Sequence, residues 1–152
     1  MKKILASVLV ISAALVLFLL IGVGAASEYQ KGIYGDDDKI VKGGDSKTYM
    51  MHLDLFSRNQ NSDTKFTGFT GSDTVFVFSM EAGETIEVSY DVAVSAGQFK
   101  VVLIDPDNVI SVITEGSGEG EMILTVAKAG TYRIKYVGLD ASGSADVTYR
   151  VG

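Results

Sequence analysis

Apolar and polar residues alternate in TIEVSYDVAV (residues 85–94). Ile86, Val88, Tyr90, Val92 and Val94 fall on one side, and Glu87, Ser89, Asp91 and Ala93 on the other. A period of two marks a half-buried β-strand, apolar inward and polar outward. The same grammar predicts strands in TYMMHLDLF (48–56), KFTGFTG (65–71), TVFVFSM (74–80), FKVVLI (99–104), VISVI (109–113), EMILTV (121–126), TYRIKYVG (131–138) and ADVTYRV (145–151). Between them lie EAGE, SAGQ, DPDN, EGSGEG, AKAG and LDASG, rich in the glycines and polar residues that short hairpin connections require. Pro106, the only proline, stands second in DPDN, where its fixed φ suits the i+1 position of a type I turn.

FKVVLI and VISVI are apolar on both faces, which predicts central strands covered on both sides. In TYRIKYVG the alternation turns Tyr132, Ile134 and Tyr136 inward and leaves Arg133 and Lys135 to water. No helical period follows Ser27. The predicted fold is all-β, an antiparallel jelly-roll-like β-sandwich of about 8–9 strands over residues 47–152.

The N-terminus has a different pattern. After Lys2 and Lys3, the 24 residues 4–27 carry no charge. That length suits a membrane-spanning helix of about 20 residues better than a secretory apolar core of about 7–15. The small-residue end GVGAAS also offers signal-peptidase-like sites, so residues 1–27 read as a transmembrane signal anchor or a cleaved signal peptide. Either way the flanking lysines stay cytoplasmic and the rest is exported, anchored at the outer face of the cytoplasmic membrane or secreted. Residues 28–46 read as an exposed linker, in which Tyr29, Ile33, Tyr34, Ile40 and Val41 are candidates for docking. Within the linker, GDDDKIVKGG (35–44) resembles a zymogen activation site, and its Lys39-Ile40 bond is a candidate place for proteolytic nicking.

Charge and composition narrow the partners. The exported part holds 11 Lys and Arg against 19 Asp and Glu, a net charge of −8. Such a surface repels phosphate backbones, so nucleic acid is excluded as a partner. The chain has no cysteine, so disulfides, thiolate metal sites and cysteine nucleophiles are absent.

Residues 78–151 resemble the exported β-sandwich modules of the bacterial pre-peptidase C-terminal type and, in layout, GOLD-type lumenal domains. FSMEAGETIEVSYDV, VVLIDPDNVI and AKAGTYRIKYVG carry the resemblance, in that order. The sequence departs from the first type at Gln98-Phe99-Lys100, where an acidic residue often stands, and in having no accompanying catalytic domain. The resemblance implies an accessory or binding role and transfers no site residue.

Candidate chemistry is sparse. His52, the only histidine, lies in a strand as an exposed or rim residue, and no G-x-S-x-G elbow accompanies it. Asp105, Asp107 and Asn108 are weak Ca²⁺ candidates, as are Asp36, Asp37, Asp38 and Asp140. The preferred readings are a self-capping turn for DPDN and a solvated run for DDD. Glu115, Glu119 and Glu121 are too closely interleaved with glycine to hold a catalytic carboxylate pair and read as a flexible loop. Tyr49, Phe56, Phe66 and Phe69 are candidates for an aromatic binding platform, against the alternative that the rings fill the core.

The sequence therefore predicts a non-enzymatic binding or accessory module without a cofactor. Its partner would be a protein or carbohydrate at the cell surface. The alternative is a pilin-like structural subunit, against which stand the missing glycine before the apolar run and the missing glutamate within it.

Overall fold

The computed structural model describes residues 25–152. Nearly all of the predicted membrane segment lies outside them. Among the described residues no helix is long and apolar enough to cross a membrane. Two short helices, α1 (Glu28–Lys31) and α2 (Asp37–Ile40), precede seven strands. These are β1 (Lys47–Thr48), β2 (Met51–Arg58), β3 (Asn61–Met80), β4 (Thr85–Ile104), β5 (Ile110–Glu115), β6 (Gly118–Thr125) and β7 (Gly130–Val151).

Three strands are 20 to 22 residues long because each turns a corner and contributes to two layers. The first half of β3 pairs with β2 and with the end of β7, and the first half of β4 pairs with the end of β7 and with β6. This makes an antiparallel layer in the order β2-β3-β7-β4-β6. The second halves of β3 and β4 flank the start of β7, with β1 and β5 outside them, giving the layer β1-β3-β7-β4-β5. Without β1 and β2, each layer has four strands in jelly-roll order.

All nine predicted strands are present, but SAGQ and LDASG are corners rather than hairpin turns. The register slips at Ala96 in β4 and between Phe66 and Gly71 in β3. Only glycine tolerates the resulting backbone. Gly97 (φ 70°) would place a Cβ 2.1 Å from the Asp140 carbonyl oxygen, and Gly143 (φ 155°) one 1.9 Å from that of Ala93. EAGE and AKAG carry the chain across between layers. DPDN alone among the six makes the expected hairpin within one layer, joining β4 to β5. EGSGEG is not the flexible loop expected, since β6 begins at Gly118 and pairs Glu119 with Asp91 and Glu121 with Ser89.

The inner faces meet in one core. Phe78 from one layer stacks on Tyr149 of the other at 4.4 Å, Phe76 meets the same ring tilted at 4.8 Å, and Phe66 stacks on Phe99 at 4.7 Å. FKVVLI is central as expected, with Val101 to Ile104 all buried. VISVI instead forms edge strand β5, and its Val112 is half exposed.

Residues 28–46 do not form an exposed linker. They lie across the outer face of the β1-β3-β7-β4-β5 layer, where Ile33 and Ile40 close a second apolar cluster with Val102, Ile104 and Val137. Ser27 caps α1 with a capping box, and Asp36 caps α2, so the aspartate run is a helix start rather than a solvated run. Three cations of the sheet grip the backbone of this strap. Lys100 Nζ donates to the Tyr34 carbonyl at 2.9 Å, Arg133 to those of Val41 and Lys42 at 3.0 and 3.3 Å, and Lys135 Nζ to that of Lys42 at 2.7 Å. Lys135, expected in water, is therefore fully buried, with Asp45 Oδ1 at 3.2 Å as its counter-charge.

Candidate functional site

A cavity of about 250 Å³ opens between the layers on the side where β2 ends one layer and β1 ends the other. Lys47, His52, Asp54, Ser62, Thr64, Asp73, Thr74, Val75 and Tyr136 line it. Most arrive by strand alternation, and the consecutive Asp73, Thr74 and Val75 lie where the register of β3 shifts. Ser62 and Thr64 precede Phe66 on the inward face of β3, so hydroxyls occupy the positions nearest the edge where the core would otherwise continue. His52 and Asp54 come from the same face of β2, and Tyr136 from the inward face of β7.

Hydrogen bonds fix the rim. The Tyr49 hydroxyl donates to Asp73 Oδ2 at 2.7 Å, and Lys47 Nζ reaches Asp73 Oδ1 at 2.5 Å. Tyr49 stands between His52 and Phe69, stacked on them at 4.4 and 4.5 Å, so the imidazole extends the aromatic core to the surface. Asp54 Oδ1 lies 3.3 Å from His52 Nε2. Deeper in, the Tyr136 hydroxyl shares a 3.4 Å hydrogen bond with Ser62, and Thr64 donates to the Leu53 carbonyl at 3.0 Å. Burial holds the phenols of Tyr49 and Tyr136 well above the ordinary tyrosine range, and the Asp73 carboxylate pushes Tyr49 further in the same direction.

Of the four residues named for an aromatic platform, Phe66 and Phe69 are not on the surface, and the side chain of Phe56 lies outside the described residues. Phe66 and Phe69 are 2% and 0% exposed and belong to the core, because the inward face of β3 continues through them to the corner. Tyr49 is half-buried with its hydroxyl committed to Asp73. Lys47, Asp73, Ser62, Thr64 and Tyr136 were not singled out by sequence reasoning. The available signal was the inward alternation Ser62-Thr64-Phe66, whose small hydroxyls mark a wet edge.

Asp105, Asp107 and Asn108 sit in the β4–β5 hairpin with their oxygens engaged. Asp105 Oδ1 accepts from the amides of Asp107 and Val109, both at 2.8 Å. Asp107 pairs with Lys128, and Asn108 Oδ1 accepts from Arg133 at 2.9 Å. Among the described residues no group of three or more His, Asp or Glu side chains converges to hold a metal ion. Glu121 faces Glu87 on the outer sheet surface. Their shared hydrogen bond holds Glu121 above the usual carboxylate range and, together with Arg150, holds Glu87 below it.

No family model matches the chain, and no curated protein does. Several solved structures overlap it. Aeromonas hydrophila PliG, a periplasmic inhibitor of g-type lysozyme, is 13% identical over 66% of this chain and 93% of its own, with a TM-score of 0.39. The CBM22-1 xylan-binding domain from Paenibacillus barcinonensis Xyn10C is 10% identical over 72% and 83%, at 0.35. The C-terminal CBM6 of LamC from Zobellia galactanivorans is 15% identical over 69% and 99%, at 0.31. At these scores none of them places the chain in a family.

Proposed function

We propose that this chain is a non-enzymatic binding module, exported and either anchored at the outer face of the cytoplasmic membrane through residues 4–27 or released from it. Its ligand is one hydroxyl-rich unit, such as the terminal residue of a glycan, held in the cavity between the layers. The observation that carries this reading is the cavity's lining: the Asp54 and Asp73 carboxylates, the Lys47 ammonium and the hydroxyls of Ser62, Thr64 and Tyr136 surround about 250 Å³. That is below the roughly 300–1,000 Å³ of drug-sized sites and suits a single sugar ring. Carboxylates accept from sugar hydroxyls in charge-assisted bonds, and a cationic donor orients the ring oxygens.

Catalysis would need a nucleophile or acid placed against a base. Among the described residues His52 makes no hydrogen bond to a hydroxyl; its partners are Asp54 and the Tyr49 ring. The resemblance of residues 78–151 to pre-peptidase C-terminal-type modules implies the same accessory role. A glycan array probed with the full chain tests the reading, with Asp54→Ala as the control. The expected result is a small set of retained glycans, released unchanged in mass and lost in Asp54→Ala. A blank array, or cleavage of the retained glycan, overturns it.

A further inference from the structure

The two edges of the β2-β3-β7-β4-β6 layer are protected unequally. β6 opens with Glu119 and Glu121 alternating with glycine, a charged edge of the kind that blocks strand addition. β2 is eight residues long and, among the described residues, pairs on one side only, with β3. Around it Met50, Met51, Leu53 and Leu55 are 64%, 45%, 48% and 53% exposed, and no lysine or proline interrupts the run. An exposed, apolar edge is a template for another strand, and Met51 to Asp54 run in unbroken register before the irregularity of β2 between Asp54 and Phe56.

We infer that the free edge of β2 pairs antiparallel with β2 of a second copy, on a two-fold axis through Leu53, to form a closed dimer. The sequence is self-complementary in that register. Leu53 meets Leu53, and His52 of each copy stands opposite Asp54 of the other, all within the regular part of β2 that precedes the bulge at Leu55. The two cross-strand pairs set an imidazole N–H donor opposite a carboxylate acceptor, and complementary polar residues directly opposed across strands are stabilising. A two-fold contact also closes on itself, so both exposed edges are satisfied at once. The strongly acidic remainder of the surface makes an approach through β6 unfavourable, whereas β2 between Met50 and Leu55 carries Asp54 as its only carboxylate. Leu53 lies on the opposite face of β2 from His52 and Asp54, so substitutions at Leu53 test the pairing without altering the cavity lining.

The chain has no cysteine, which allows a direct test. Leu53→Cys is introduced into the full chain in membranes, with Ile123→Cys on β6 as a control of similar exposure. Directly opposed residues of an antiparallel pair have Cα atoms about 4.5–5.5 Å apart, within disulfide reach. Mild oxidation is expected to convert most of the Leu53→Cys chain to a band of twice the chain mass, at least about tenfold more than the control, tenfold corresponding to 1.4 kcal/mol. Leu53→Lys, folded by circular dichroism, is expected to sediment as a monomer where the parent sediments as a dimer. Equal yields from both cysteines, a Leu53→Cys adduct of any other mass, or a parent chain that is monomeric at high micromolar concentration would overturn the inference.

Discussion

Removing the Asp45 carboxylate leaves the Lys135 ammonium buried beneath the strap with no counter-charge. At 3.2 Å the pair attracts by about 5 kcal/mol at an effective dielectric of about 20. Desolvation offsets part of this, and breaking a buried pair from one side costs about 3–5 kcal/mol. The Lys42 carbonyl, 2.7 Å from Nζ, stays in place and favours the lower end, about 3 kcal/mol. Asp45→Ala also removes the bonds that Asp45 accepts from the Thr74 amide and hydroxyl at 2.8 and 2.9 Å, worth about 1 kcal/mol together in this exposed setting. Its expected cost is therefore about 4 kcal/mol. Lys135→Met keeps the volume, leaves Asp45 bonded to Thr74 and the Lys42 carbonyl bonded to Arg133, and should cost at most about 1 kcal/mol. With both changes the loss should be about 2 kcal/mol, a coupling of about 3 kcal/mol in a double-mutant cycle read by urea denaturation.

The same pair has a pH signature. Burial lowers the Lys135 pKa, and Asp45 partly restores it. Below the unfolded lysine value of about 10.4 the unfolded chain then binds more protons than the folded one, so this group's contribution to stability rises with pH. In Asp45→Ala that window widens downward, and the variant should recover part of its deficit between neutral pH and pH 10. A coupling under about 1 kcal/mol, with no recovery at alkaline pH, would refute the picture of a charged, sealed lysine.

Three further outcomes follow from other features. Gly143→Ala should cost at least about 3 kcal/mol in thermal unfolding, because its Cβ meets the Ala93 carbonyl at 1.9 Å; Gly83→Ala, at φ 89° with open space around it, should cost only about 1 kcal/mol. Ile40→Ala should cost about 2–4 kcal/mol and speed tryptic cleavage after Lys39, since the strap must lift before that bond is reached; an unchanged cleavage rate would mean the strap is already open. Tyr49 and Tyr136 are held protonated in the fold, so as pH rises past about 10 the unfolded chain loses phenol protons first and stability falls. A spectrophotometric titration should show these two phenolates appearing only with unfolding, and reversible ionisation in the folded protein near pH 10 would contradict it.

The strands were legible because period-two alternation is a local property, and each of the nine runs carries it. Corners were not, because a glycine with positive φ serves a hairpin turn and a layer-to-layer bend equally well; SAGQ and LDASG differ from turns only in what their flanking strands pair with. Lys135 shows a second limit. Alternation correctly pointed it away from the core, but facing away from the core equals facing water only if nothing covers that face. Here the cover comes from residues 93 positions earlier in the chain. Phe66 and Phe69 failed as a platform for a related reason: KFTGFTG read alone has no preferred inside, whereas Ser62-Thr64-Phe66 read together fixes it.

β7 is the last strand in the chain and the middle strand of both layers. β3 and β4, although consecutive, do not pair with each other; each pairs with β7, in contacts that reach across as many as 87 positions. A chain emerging N-terminus first can therefore form the β2–β3 and β4–β5 hairpins early, but neither layer can close until residues 130–151 have emerged. Contacts this remote in sequence make folding slow and all-or-none, and they leave one long edge of β3 and one of β4 unpaired in the interval. Loss of β7 would abolish both layers together, so residues 130–151 determine whether the sandwich folds at all.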